Sequence, residues 1–128
     1  MGDIADEKRK ILDGTYPSKV IIGRQNKHIE GTREFEQKRE QMEKNSPGSM
    51  PAILYANAQS LVDNYKGTGR IRIPNGSQYP REAVDIDYII GKTWVQSLGK
   101  YIETKRIEIF YSATGVHIVP VNDYEKKG

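Results

Sequence analysis

From Lys105 to Val121 the chain reads as two strands folded back on one another, and no other stretch limits the fold as much. Ile107, Ile109 and Tyr111 fall on one parity, and Glu108, Phe110 and Ser112 on the other. Alternate side chains of a strand point to opposite faces, so the isoleucines mark a side that must be covered. Val116 and Ile118 supply matching apolar positions on the return strand, which calls for a sheet packed on a core. Two loops fit the sequence. A two-residue turn at Thr114-Gly115 sets Ser112 opposite His117 and points the imidazole away from the core. A three-residue loop with Gly115 left-handed sets Tyr111 there instead. Either one gives His117 a hydroxyl neighbour.

Upstream, the pattern turns helical. Ile4, Lys8, Ile11 and Leu12 recur at helical spacing between Asp3 and Leu12, and Asp13-Gly14 stops the run before Tyr16-Pro17. Val20-Ile21-Ile22-Gly23 is a short apolar run, and the polar Arg24 to His28 reads as extended chain or loop. Thr32 can cap a largely solvated helix to about Asn45, ended by Ser46-Pro47-Gly48. Ala56 to Lys66 carries Ala58, Leu61, Val62 and Tyr65 on one face, and Gly67-Thr68-Gly69 closes it. Arg70-Ile71-Arg72-Ile73 alternates, Pro74 to Ser77 turns, and Ala83 to Ile90 predicts a strand with Val84, Ile86 and Tyr88 on one parity. Trp94-Val95 leads into a turn-like Ser97-Leu98-Gly99-Lys100. These elements predict an α+β fold, with N-terminal helices packed on a C-terminal antiparallel sheet of about four strands.

At 128 residues the chain suits one domain with its own core, to which residues 1–17 and 122–128 are expected to be peripheral. Cysteine is absent, which excludes disulfides, thiolate nucleophiles and sulfur-ligated zinc; with two histidines, any zinc site would have to borrow carboxylates. No apolar run approaches the roughly 20 residues of a membrane-spanning helix, and the charged start is not a signal peptide. The formal charge of +3, with both signs interspersed, mildly favours a polyanionic partner.

Both histidines sit in dense polar motifs, Lys27-His28-Ile29-Glu30-Gly31-Thr32 and Tyr111-Ser112-Ala113-Thr114-Gly115-Val116-His117. Histidine titrates near neutrality, so two brought together by folding would make an acid/base site that needs no metal. The blocks Arg24 to Thr32, Gly67-Thr68-Gly69, Ile89-Ile90-Gly91 and Tyr111 to Pro120, in this order and spacing between Ser18 and Val121, resemble the bacterial toxin 50 family of polymorphic toxins. That resemblance implies the ribonuclease fold group of barnase, EndoU, the ribonuclease colicins and RelE. It also implies a toxin module at the C-terminus of a larger carrier, often phage-type or secreted, exported with it and acting in the cytoplasm of a target bacterial cell.

Taken as a ribonuclease, the domain needs no cofactor. One group removes the 2'-hydroxyl proton of RNA, the alkoxide attacks phosphorus, and another group protonates the leaving 5'-oxygen, giving a 2',3'-cyclic phosphate. His28 and His117 are the candidates, with Glu30 or Glu108 as a fallback base. Thr32, Ser112 and Tyr111 are candidates to bond the phosphate or fix an imidazole tautomer. Arg24, Gln25, Lys27 and Arg33 are candidates to hold substrate, and Tyr55, Tyr65, Tyr88, Phe110 and Tyr111 offer base-stacking faces. Partners expected on this reading are RNA, tRNA among the options, and an acidic immunity protein. The same residues also fit plainer roles: His117 as a half-buried strand residue, Thr32 as a helix cap, the tyrosines as core. A non-catalytic RNA-binding module and an assembly domain of a phage head protein are the competing functions.

Overall fold

The computed structural model describes residues 3–122. In chain order it contains α1 (Ile4–Leu12), α2 (Ile22–Gln25), a 3-10 turn at Asn26–His28, α3 (Arg33–Asn45), β1 (Ile53–Leu54) and α4 (Ala58–Tyr65). Strands β2 (Arg70–Arg72), β3 (Arg81–Asp85), β4 (Gly91–Val95), β5 (Lys100–Thr104), β6 (Arg106–Tyr111) and β7 (Val116–Val121) follow. The class is α+β. The longer helices begin where a side chain takes up a free backbone amide: Asp3 accepts from Asp6 at 2.7 Å, Thr32 from Phe35 at 3.1 Å and Asn57 from Ser60 at 2.9 Å.

The strands form two antiparallel sheets, one ordered β2-β3-β6-β7 and the other β1-β4-β5. The first is the sheet of about four strands that the alternation predicts. The second was not visible in the sequence: β4 and β5 are joined across Gln96 to Gly99, where Trp94-Val95 had suggested only an approach to a turn. The strand expected from Ala83 to Ile90 ends at Asp85, because the chain changes sheets there. Ile86 donates its amide to Lys105 and Ile90 to Thr104, which leaves Asp87 to Ile89 on an exposed corner. Val84 and Ile86 stay buried, whereas Tyr88, expected on the same face, is 48% exposed.

Neither loop length anticipated for the last hairpin occurs. Tyr111 pairs with Val116 and Phe110 with His117, so residues 112–115 form a four-residue loop. Relative to the two-residue turn the register moves by two, which preserves every residue's face while changing its partner. His117 therefore keeps the outer face, but its neighbour is the Phe110 ring rather than a hydroxyl. The inner face carries Ile107, Ile109, Val116 and Ile118, each fully buried, over Leu61 and Val62 of α4. Burial of each such side chain contributes about 1.5–3 kcal/mol before entropy is counted. The core also takes in Ile11 of α1 and Tyr16 from the segment expected to be peripheral; residues 123–128 of the other such segment lie outside the described residues.

Arg24 to His28, expected as extended chain or loop, is instead helical through α2 and the 3-10 turn. Gln25 explains the difference. Its side chain, 3% exposed, donates to the Ile118 carbonyl at 2.9 Å and accepts from the Ile118 amide at 2.7 Å. A side-chain amide thus occupies the edge of β7 as a strand backbone would, and the main chain is left to coil. Just before it, Val20 makes a parallel bridge to Val116: Val116 donates to Lys19 at 2.9 Å and Ile21 to Val116 at 2.8 Å. Gly115 permits this approach, since its φ is 148° and a Cβ there would run into the Lys19 carbonyl and the Ile21 side chain. The bridge lays the segment that leads into the first histidine motif against the second.

Candidate active site

Registers across the larger sheet align Arg72, Arg81, Phe110 and His117 in one row on its outer face. Rings and cations in that row touch. The Phe110 and His117 rings stack with centroids 4.7 Å apart and planes 28° apart, and the Arg81 guanidinium lies 4.3 Å from the Phe110 centroid. Arg24 comes over from α2, and together with Ser77, Tyr79, Arg81, Phe110 and His117 it lines a cleft of about 270 Å³. Arg81 was missed by the sequence reading. Its parity with Ala83 on β3 was legible, but its apposition to Phe110 required the register of two strands separated by 20 residues and a second sheet.

His28 lies on the 3-10 turn, outside the lining of this cleft but near enough for its charge to act on His117. Its Nδ1 lies 2.9 Å from the Ala52 carbonyl. A carbonyl can only accept, so Nδ1 carries the proton and Nε2 of the neutral ring holds a free lone pair. Burial pushes its pKa below the usual value, the Ala52 bond opposes that, and Lys38 and Lys27 lower it further. At His117 burial is again the main cause, followed by the charges of His28, Arg24, Lys27 and Arg81, and the pKa falls to about 4. His28, His117, Arg24 and Lys27 thus share one electrostatic neighbourhood. The Nδ1 of His117 is buried without a hydrogen-bond partner, so a proton placed there has no acceptor.

The other sequence candidates divide. Ser112 lines the cleft, but its hydroxyl donates to the Gly115 carbonyl at 2.8 Å within the hairpin loop. The Tyr111 hydroxyl is turned inward, donating at 2.6 Å to Glu82, which is fully buried. Thr32 caps α3 and donates back to Asn26 at 2.7 Å. Gln25 is committed to β7. Arg33 is solvent-exposed, with Glu34 at 3.9 Å, and does not line the cleft. Of the fallback bases, Glu108 is held by Arg72 at 3.0 Å, and the charge of Glu30 is felt at Tyr55 and Tyr101. No group of three or more His, Cys, Asp or Glu among the described residues is placed to hold a metal ion. No helix among them is long and apolar enough to cross a membrane.

Fold and cleft together define a small α+β domain with a cationic, ring-floored surface site. Its residues 20–120 match the model of the bacterial toxin 50 family, and the chain belongs to that family as a toxin domain. The match spans both histidines and every cleft residue. No curated protein matches the chain.

A pH dependence of stability follows from His117. In the unfolded chain it titrates near 6.5, in the folded protein at about 4. Between those values the unfolded state binds a proton that the folded state refuses, so stability is full above the upper value and declines as pH falls toward the lower. His28 acts in the same direction. The urea midpoint is expected to drop between about pH 7 and pH 4.5, and His117→Gln to flatten that drop; an unchanged slope in the variant would contradict the assignment.

Proposed function

We propose that this toxin domain is a metal-independent endoribonuclease that cleaves RNA by attack of the 2'-hydroxyl, leaving a 2',3'-cyclic phosphate. The observation that carries the reading is a cleft lined by His117, Arg24 and Arg81, with His28 and Lys27 close enough for their charges to act on His117. His28, neutral and with Nε2 free, is the base that takes the 2'-hydroxyl proton. His117 is the acid that delivers a proton to the departing 5'-oxygen. Arg24, Arg81 and Lys27 offset the charge that builds on the phosphoryl oxygens. Family membership supports a toxic activity and, with it, an immunity protein as partner; the cleft's charge favours an acidic one. Export on a carrier and action in the cytoplasm of a target bacterium belong to the same proposal.

Single-turnover cleavage of end-labelled RNA in EDTA tests it. Cleavage is expected to persist and to leave cyclic phosphate ends, because the proton transfers use side chains alone. Loss on chelation with recovery in magnesium would overturn the mechanism. Salt-sensitive binding without any cleavage would favour the non-catalytic RNA-binding module, and neither binding nor toxicity on expression would favour the assembly domain.

A further inference from the structure

We infer that the space between Arg24, Arg81 and His117 is a phosphate site in which anion binding and protonation of His117 are a single coupled event, so that the substrate charges its own proton donor. The inference deepens the ribonuclease reading and rests on it only for the source of the phosphate.

The geometry of the row comes first. In the strand order β3-β6-β7, Phe110 lies between Arg81 on one side and His117 on the other. Both of its faces are taken, so it offers none to a nucleobase; it is a spacer that sets a guanidinium and an imidazole beside the same opening. Neither Arg24 nor Arg81 is ion-paired with a described residue, whereas on the same sheet Arg72 is held by Glu108 and Arg70 by Asp85. Two uncommitted guanidinium forks at one small cleft match the oxygens of a phosphate group.

The groups facing His117 complete the argument. They are Arg24 from α2, Lys27 and His28 from the 3-10 turn, and Arg81 from β3. On β6 the nearby carboxylate, Glu108, is already engaged by Arg72. The cations that make an imidazolium unfavourable are therefore the ones that attract an anion. A phosphate seated among them cancels their repulsion and adds an attraction that opposes the burial cost, so protonation of His117 becomes more favourable. By reciprocity the proton tightens the phosphate, so affinity must rise as pH falls across the interval between the free and bound pKa values.

Because the chain has two histidines, their imidazole proton signals report this directly in the whole domain, with His28→Gln and His117→Gln assigning them. Titrations run in the free protein, in inorganic phosphate and in uridine 3'-monophosphate. Saturation is expected to raise the His117 midpoint by about one pH unit or more, a tenfold gain in proton affinity. Arg81→Ala should abolish most of that rise, and so should Arg24→Ala on the exposed face of α2, a change that leaves the core untouched. Phe110→Leu should reduce the rise and Phe110→Tyr preserve it, since only the latter keeps the stack. Saturation without movement of His117, absence of binding, or a rise surviving both arginine changes would overturn the inference. A shift at lower nucleotide than inorganic phosphate concentration identifies the nucleic acid phosphoryl as the ligand; equal concentrations identify a general phosphate site. RNA cleavage without the shift defeats the coupling alone, and the shift without RNA cleavage defeats the ribonuclease alone.

Discussion

Replacing either histidine by alanine is expected to lower RNA cleavage by at least ~10²-fold while the unfolding midpoint moves little. The two losses should be far from additive, because a cleavage step missing its base gains little from a competent acid. The structural grounds differ for the two residues. His28 makes one bond to Ala52 from a part-buried turn, and His117 packs on Phe110 with one ring nitrogen unpaired, so neither is a keystone of the core. Lys27→Ala, by contrast, should weaken RNA binding and reduce its salt slope by roughly one, whereas the histidine changes should spare binding. If His117→Ala instead costs a couple of kcal/mol and cleavage falls only with the folded fraction, that histidine is structural. The second proton-transfer group would then be sought at Glu30, since Arg72 already occupies Glu108.

What the sequence made legible tracks the range of the interactions involved. Helices α1, α3 and α4 were readable because their signals are local: a cap at Thr32 for α3, and apolar positions three and four apart with a glycine stop for α1 and α4. The inner face of β6 and β7 was readable because parity survives a register error of two residues. The pairing across that hairpin was not, since a four-residue loop carries no stronger signal at Ser112 to Gly115 than a shorter one, and so His117 was given a hydroxyl instead of Phe110. The helical turn at Arg24 to His28 was hidden for a different reason: it depends on Gln25 reaching an edge strand 93 residues later, which no local pattern encodes. Gln25 and Thr32, drawn toward the site by their motif, hold the motif's backbone in shape, so a run of polar residues there mixes supports with working groups. Arg81 entered the site by the opposite route, from a strand whose outward positions looked like ordinary solvated charge.

Glu82 carries the largest stability effect expected in the molecule, and it also decides the role of Tyr111. Fully buried on β3, its carboxyl group accepts from the Gly67 amide at 2.9 Å, the Gly69 amide at 2.6 Å and the Tyr111 hydroxyl at 2.6 Å. It therefore ties the end of α4 and the loop before β2 to the middle of the sheet, and burial pushes the Tyr111 hydroxyl's pKa well up, so that its proton stays in this bond. Glu82→Ala removes the acceptor for all of these donors at once. Donors buried without partners cost about 1–3 kcal/mol each, so a loss of at least ~3 kcal/mol is expected, enough to unfold many marginal small domains. Tyr111→Phe removes a single donor and keeps the ring in the core, so it should cost about 1–2 kcal/mol in urea unfolding and leave cleavage by the folded fraction within a few-fold. Were Tyr111→Phe to abolish cleavage at an unchanged midpoint, the hydroxyl would have to leave Glu82 and turn to the phosphate during the reaction. Tyr111 would then join His28 and His117 as a catalytic group, and Glu82 would be the residue that releases it.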